Sequence, residues 1–77
     1  KKEKFTEAVD LLIDHTGNGP SAYNTVGYIC MLDGKYDQAE AYFNRAIDLS
    51  PAYFEIAVQN RELNRRRHSK TVYESLN

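Results

Sequence analysis

The chain has 77 residues, of which 42% are hydrophobic and 27% are charged, and its formal net charge is −1. This length allows at most one small domain, and the composition excludes a disordered chain. The single cysteine excludes an intrachain disulfide and slightly favours a cytoplasmic protein. No apolar run is long enough to span a membrane. The chain begins at a lysine, so we expect a trimmed piece of a longer protein or a processed product.

The first predicted helix covers residues 3–15. Its apolar residues recur at helical spacing, namely Phe5, Ala8, Val9, Leu11 and Leu12. Segment 16–20 ends this helix, because glycine admits left-handed backbone conformations and proline cannot continue a helix. The second predicted helix covers residues 21–32, with Ser21 as its N-cap and Gly34 as the residue of positive φ after its end.

The third predicted helix covers residues 36–49 and has the strongest pattern. Its apolar residues follow one another at helical steps, namely Tyr36, Ala39, Phe43 and Ala46. Pro51 ends this helix, because the residue before a proline is pushed out of the helical region. The fourth predicted helix covers residues 52–68. Apolar residues nearly vanish beyond Leu63, so we expect this helix to project into solvent or fray, followed by a tail over residues 69–77.

Residues 20–53 resemble one tetratricopeptide repeat (TPR), a helix–turn–helix unit of about 34 residues. The matching residues are Tyr23, Val26, Gly27, Ala39, Phe43, Ala46 and Pro51. The resemblance implies an all-α fold, namely an antiparallel helix-hairpin α-solenoid fragment of about four helices. It also implies a scaffold or adaptor that has no catalytic activity and no cofactor and that binds a protein or peptide partner.

An internal repeat extends this resemblance upstream. When the chain is shifted by 31 residues, similar residues align, namely Lys4 with Lys35, Phe5 with Tyr36, Ala8 with Ala39, Leu12 with Phe43, and Pro20 with Pro51. We therefore predict one helical domain over residues 1–68, made of a partial repeat (3–19), a full repeat (20–53) and a capping helix (52–68). Because the family's period is about 34 residues, the turn before Tyr23 is expected to be tight.

The centre of the full repeat is expected to be a close helix crossing. Gly27 and Ala39 are small enough to let two antiparallel helices approach each other. Larger residues fill the remaining space, namely Tyr23, Val26, Cys30, Tyr36 and Phe43. A large residue in place of Gly27 would therefore push the helices apart.

In the TPR family, the first helix of each repeat lines a concave groove that holds a partner peptide. The resemblance places these residues in the groove: Asn24, Thr25, Tyr28 and Met31, with Leu32 beside them. The alternative is that they are ordinary solvated residues on an exposed helix. A clamp for a C-terminal carboxylate is not expected, because the corresponding positions of this chain include an acidic residue and lack Lys and Arg.

Two further interpretations stay open. A basic patch could bind a polyanion or could be a solvated helix end, and it comprises Arg61, Arg65, Arg66, Arg67 and Lys70. Nucleic acid is a poor candidate, because no aromatic residues interleave the patch. An apolar surface could instead drive self-association into a homodimer or a subunit of a larger assembly, such as a secretion or pilus adaptor. That surface would comprise Val9, Leu12, Ile13 and Tyr23.

No catalytic or metal-binding constellation is recognisable in the sequence. Cys30 lies in the apolar stripe of the second predicted helix, where a small core residue is expected. The two histidines, His15 and His68, are far apart in the chain, so a zinc site would need ligands from elsewhere.

Overall fold

The computed structural model describes residues 2–76, and it describes side chains from Lys4 onward. Four helices occupy this range: α1 (Lys2–Thr16), α2 (Gly19–Leu32), α3 (Tyr36–Leu49) and α4 (Glu55–Ser75). The predicted all-α fold is confirmed, and no strand occurs among the described residues. The outermost predicted bounds, residues 1 and 77, lie outside the described range.

The junction between α1 and α2 differs from the prediction in its cap. α2 begins at Gly19, and its N-cap is Asn18 rather than Ser21. The side-chain oxygen of Asn18 accepts a hydrogen bond of 3.0 Å from the backbone N–H of Ser21. Pro20 lies in the first turn of α2, where its missing N–H removes no helical hydrogen bond. The turn is tight, since only residues 17–18 separate the two helices.

The turn between α2 and α3 agrees with the prediction. Gly34 has a φ of 76°, the left-handed conformation that glycine adopts without strain. The backbone N–H of Lys35 then donates to the carbonyl of Cys30 over 2.9 Å, which satisfies an acceptor at the end of α2. α3 has the bounds expected from its apolar spacing, Tyr36–Leu49.

α4 begins later than predicted. The sequence predicted a helix from residue 52, directly after Pro51, whereas α4 begins at Glu55. Ser50 leaves α3 in an extended conformation with a ψ of 131°. The residue that precedes α4 is Phe54, which makes no side-chain capping bond.

α4 also extends further than predicted. It continues to Ser75, through most of the predicted tail over residues 69–77. Tyr36 of α3 explains this extension, because it contacts two residues of this part of α4. Its ring stacks on that of His68 with the centroids 5.1 Å apart. Its hydroxyl oxygen lies 3.3 Å from Oγ1 of Thr71, so the two hydroxyls share a hydrogen bond.

The core lies where α2 crosses α3, and it continues to α1 and α4. The buried apolar residues are Val9, Ala22, Val26, Cys30, Met31, Ala39, Phe43, Ala46 and Ala57. α1 packs on α2, while α4 packs on α3 and touches α2. Among the described residues, no Cα of α1 lies within 8 Å of a Cα of α3 or α4. The helices therefore form a stack with α1 at one end and α4 at the other.

The predicted close crossing is present at Gly27. A Cβ atom added to this glycine would lie 2.8 Å from Cε1 and 2.9 Å from Cδ1 of Phe43, closer than real Cβ atoms approach. Ala39, the small residue on the facing helix, is fully buried. The missing side chain of Gly27 thus lets the Phe43 ring lie directly against α2.

The apolar surface predicted around Val9 is absent. Val9 is only 2% exposed, and Leu12, Ile13 and Tyr23 pack against the core. The prediction of self-association through these residues is therefore wrong, because α2 already covers the apolar stripe of α1. The large apolar residue that α1 does expose is Leu11, at 69%.

Candidate functional site

One side of α2 forms a narrow exposed surface, which we call the α2 strip: Thr25, Tyr28, Ile29 and Leu32. These residues follow one another at i, i+3, i+4 and i+7, so they share one helix face. The three large ones are 41%, 48% and 55% exposed in chain order. The sequence had indicated three of the four members and missed Ile29, although its spacing from Thr25 was a usable signal.

Met31 does not belong to this surface. It is 1% exposed and lies in the core cluster. It follows Gly27 by four residues and so shares the helix face that packs against α3. The prediction that Met31 lines a groove is therefore wrong. Helical spacing alone could not show this, because Met31 also follows Tyr28 by three residues.

Asn24 connects two helices instead of standing free in a groove. Its side-chain oxygen accepts a hydrogen bond of 3.1 Å from Nδ2 of Asn60 in α4, and the pair is partly buried. This bond sets the position of α4 relative to α2. The sequence contains no local signal for it, because the two residues lie on different helices.

α4 carries a depression next to this connection. Its volume is about 510 Å³, and it is lined by Val58, Gln59, Asn60, Glu62, Leu63 and Arg66. Because Asn60 also bonds Asn24, the depression borders α2. The polar groups that it offers include an amide, a carboxylate and a guanidinium, which can donate and accept hydrogen bonds.

The five predicted basic residues do not form one surface. The side chain of Arg61 turns toward α3, where Nη1 donates to Oδ1 of Asn44 over 2.8 Å. Arg65 also faces α3 and binds Glu40 through Nε at 3.1 Å and Nη2 at 2.6 Å. Both side chains therefore fasten α4 to α3. The remaining three are exposed: Arg66, Arg67 and Lys70.

Arg65 has the most extensive ion pairing in the described part of the chain. It contacts Glu62 one turn earlier, at 3.6 Å, in addition to Glu40. The hydrogen bond to Glu40 and then its negative charge raise the pKa of the Arg65 guanidinium above its ordinary value. The Arg65 guanidinium thus stays charged and paired with Glu40 at any physiological pH. It is therefore not a free cation that could bind a polyanion.

Cys30 is a core residue and not a nucleophile. Its side chain is fully buried. Burial is the main cause that raises the pKa of the thiol to about 11; the charge of Asp33 adds to this, and Lys35 opposes it. A thiol with this pKa is protonated at neutral pH and unreactive.

The described residues contain no group of three or more His, Cys, Asp or Glu side chains that could hold a metal ion. No helix among them combines the length and the apolar character needed to cross a bilayer. The α2 strip exposes large apolar side chains, and the α4 depression offers hydrogen-bonding groups.

Comparison with known proteins identifies the helical unit. A family model described as "Tetratricopeptide repeat" matches residues 20–58, just over half of the 77-residue chain. The match covers α2, α3 and the start of α4. No curated protein and no solved structure matches the chain significantly.

Proposed function

This chain belongs to the tetratricopeptide repeat family, whose repeats generally mediate protein–protein interaction, and we propose that it binds a protein or peptide partner across α2 and α4. The binding surface consists of the α2 strip and the α4 depression. The repeats of this family are interaction units and not catalysts. The proposal therefore contains no catalytic step and no cofactor.

The α2 strip is the observation that carries the proposal. One side of α2 is buried in the core and includes Val26 and Cys30. The other side exposes the large apolar side chains of Tyr28, Ile29 and Leu32. Buried apolar surface contributes about 25 cal/mol per Å², so a partner that covers these side chains gains binding free energy. We propose that the partner presents apolar side chains to the strip and polar groups to the depression.

Rigidity of the surface supports this role. Asn60 holds Asn24 of α2, while Arg61 and Arg65 hold α4 to α3. Side chains fixed before binding lose little conformational entropy when a partner arrives. In this proposal Asn24 braces the two helices that the partner crosses, and it is not itself a main contact.

We also propose the domain division into a partial repeat, a full repeat and a cap, with α1, the α2–α3 pair and α4 in these roles. A shift of 34 residues, the family's period, aligns Gly27 with Arg61 and Cys30 with Asn64. α4 thus has a long charged side chain where α2 has the glycine that admits a packed ring. Replacing Arg61 by Gly should not increase stability; a more stable variant in urea unfolding would contradict the capping role.

The binding proposal is tested with a defined probe. A peptide that binds the chain is selected from a displayed random library, and its Kd is measured by calorimetry. The double variant Tyr28→Ala, Leu32→Ala should weaken this binding by about 10–100-fold, because truncation of a buried interface anchor commonly costs more than 1 kcal/mol. Both positions are exposed, so helicity by circular dichroism should not change.

Tyr53→Ala is the matched control. Tyr53 is 78% exposed and lies in the connection before α4, outside the α2 strip. Removal of the Tyr53 side chain should leave the Kd of the selected peptide unchanged. The proposal fails if the double variant binds as tightly as the original chain, or if Tyr53→Ala weakens binding equally.

A further inference from the structure

The outer side of α1 is acidic on balance: in the described part of the helix it carries three acids, with the single cation Lys4 at its N-terminal end. Glu7, Asp10, Leu11 and Asp14 follow one another at i, i+3, i+4 and i+7, and all four are exposed. Among the described residues, none of the three acids has an ion pair or a hydrogen-bond partner. Leu11, 69% exposed, lies in the middle of this face.

The outer side of α4 is the basic counterpart. Arg66, Lys70 and Tyr73 are spaced at i, i+4 and i+7, with Arg67 beside them, and all are exposed. Among the described residues the three cations have no ion pair, in contrast to Arg65. Next to them lies an apolar depression of about 340 Å³, lined by His68, Ser69, Val72, Tyr73 and Leu76.

One molecule cannot bring these two faces together. α1 and α4 lie at opposite ends of the stack, and none of their Cα atoms approach within 8 Å of each other in the described part of the chain. A second copy can do so, because the acidic face of one copy and the basic face of another are both accessible. Their net charges have opposite sign, with Glu74 as the acid beside Arg67 and Lys70. An exposed leucine on one face matches an apolar depression on the other.

We propose that copies of this chain associate head to tail, with the acidic face of α1 against the basic face of α4 of the next copy. Leu11 then packs into the apolar depression at the end of α4. Such a contact joins two different surfaces, so every added copy leaves one face of each kind free. The assembly grows with concentration and does not stop at a dimer. This proposal uses none of the residues of the α2 strip; it shares only Arg66 with the α4 depression.

Salt dependence is the first test. Light scattering should give a mass above the 8.9 kDa of one chain that increases with concentration at low ionic strength. The Debye length falls from about 30 Å at 0.01 M salt to about 3 Å at 1 M, so the association constant should fall at least tenfold between these conditions. A monomer at every concentration, a mass that stops at a dimer, or growth that is independent of salt would each overturn the proposal.

Two neutralised variants give the second test. The acidic-face variant carries Glu7→Gln, Asp10→Asn and Asp14→Asn, and the basic-face variant carries Arg66→Gln, Arg67→Gln and Lys70→Gln. Each variant alone should stay monomeric at low salt, because one partner surface has lost its charge. A mixture of the two retains one complementary pair of faces and should therefore form a heterodimer and grow no further.

Controls separate this contact from general charge effects and from misfolding. Asp37→Asn with Asp48→Asn neutralises two exposed acids on α3 and should leave the growth unchanged. Circular dichroism should give equal helicity for all variants. A mixture that stays monomeric, or growth that the basic-face changes abolish while the acidic-face changes leave it intact, contradicts the proposal; the latter result would assign the cations to a different acidic partner.

Discussion

Gly27 and Phe43 form the tightest residue contact of the repeat. Phe43 is fully buried, so its ring has neighbours on every side and cannot move away from an added atom. Glycine at position 27 is thus required by the space between two helices and not by backbone conformation, since no positive φ occurs there. The residue pair determines how closely α2 and α3 approach.

Gly27→Ala should lower the free energy of unfolding by about 1–3 kcal/mol, the usual cost of overpacking a core. Its new methyl group would lie 2.8 Å from Cε1 of Phe43. Urea unfolding followed by circular dichroism measures the change. Gly19→Ala is the matched control, because a Cβ there meets only Cδ1 of Leu49 at 3.9 Å, an ordinary contact. An equal loss of stability in both variants would contradict this explanation.

Cys30 links stability to pH through its buried thiol. Its pKa is about 11 in the folded chain against an ordinary value of 9.0. The folded state therefore holds the proton more tightly than the unfolded state does. The stabilising contribution of this thiol is complete below about pH 9 and is lost as the pH rises through about 11.

Cys30→Ala should remove this part of the pH dependence. Between about pH 8 and pH 11 the original chain should lose more unfolding free energy than the variant, because only the original has a thiol that ionises on unfolding. Urea unfolding at a series of pH values measures both curves. Parallel curves would show that Cys30 makes no contribution to the alkaline loss of stability.

At the scale of the element, α4 depends on α3 for its second half. The side-chain amide of Asn64, which is 1% exposed, donates to the backbone carbonyl of Tyr36 over 3.0 Å. One turn later His68 stacks on the ring of the same tyrosine, and Thr71 meets its hydroxyl. About two turns of a polar helix are thereby held against a single residue of the neighbouring helix.

Tyr36→Ala should open the last turns of α4 while the rest of the chain stays folded. The variant loses the stacking contact and the hydroxyl bond, so amide exchange over residues 68–75 should accelerate by at least about tenfold, equivalent to 1.4 kcal/mol of local opening free energy. Hydrogen exchange followed by NMR measures this. Tyr36→Phe keeps the stack and should show a much smaller effect. If amide hydrogen exchange is unchanged in Tyr36→Ala, the last turns of α4 do not depend on Tyr36.

α2 is the element in which fold and function meet. One of its faces supplies much of the core through Val26, Cys30 and Met31, while the face opposite forms the α2 strip. A helix that is apolar on two faces buries both only if each face packs against another protein surface. α1 and α3 cover the first, and in the proposed function a partner covers the second.

The whole molecule is an elongated stack. Its radius of gyration is 12.8 Å, above the value of about 11.5 Å expected for a compact domain of this length. A stack of this kind leaves more surface exposed than a sphere does, and a chain of 77 residues has little stability in reserve. The proposed head-to-tail contact would cover part of this surface at both ends.

The distribution of charge over the surface depends on how the whole molecule folds. The sequence is acidic over residues 33–55 and basic over residues 61–70, and the net charge of −1 conceals this. Folding pairs Arg65 with Glu40 and turns Arg61 toward Asn44. Three acids of α1 (Glu7, Asp10 and Asp14) and three cations of α4 (Arg66, Arg67 and Lys70) have no ion pair among the described residues, and they lie on helices at opposite ends of the stack.

The features of this protein that depend on residues close together in the chain can be predicted from the sequence alone. The spacing of Tyr36, Ala39 and Phe43 predicted α3 to the residue, and Gly34 predicted the turn before it. The small residue at Gly27 predicted a close crossing. In each case a local rule of helix periodicity, backbone conformation or side-chain size was sufficient.

Features that join residues distant in the chain arise only when the helices pack together. The second half of α4 packs against Tyr36. Asn24 bonds Asn60 of α4, and the basic cluster is divided because Glu40 holds Arg65. Side-chain hydrogen bonds and stacking of this kind have no period along the chain. They exist only once hydrophobic burial has brought the helices together, so no pattern in the sequence could predict them.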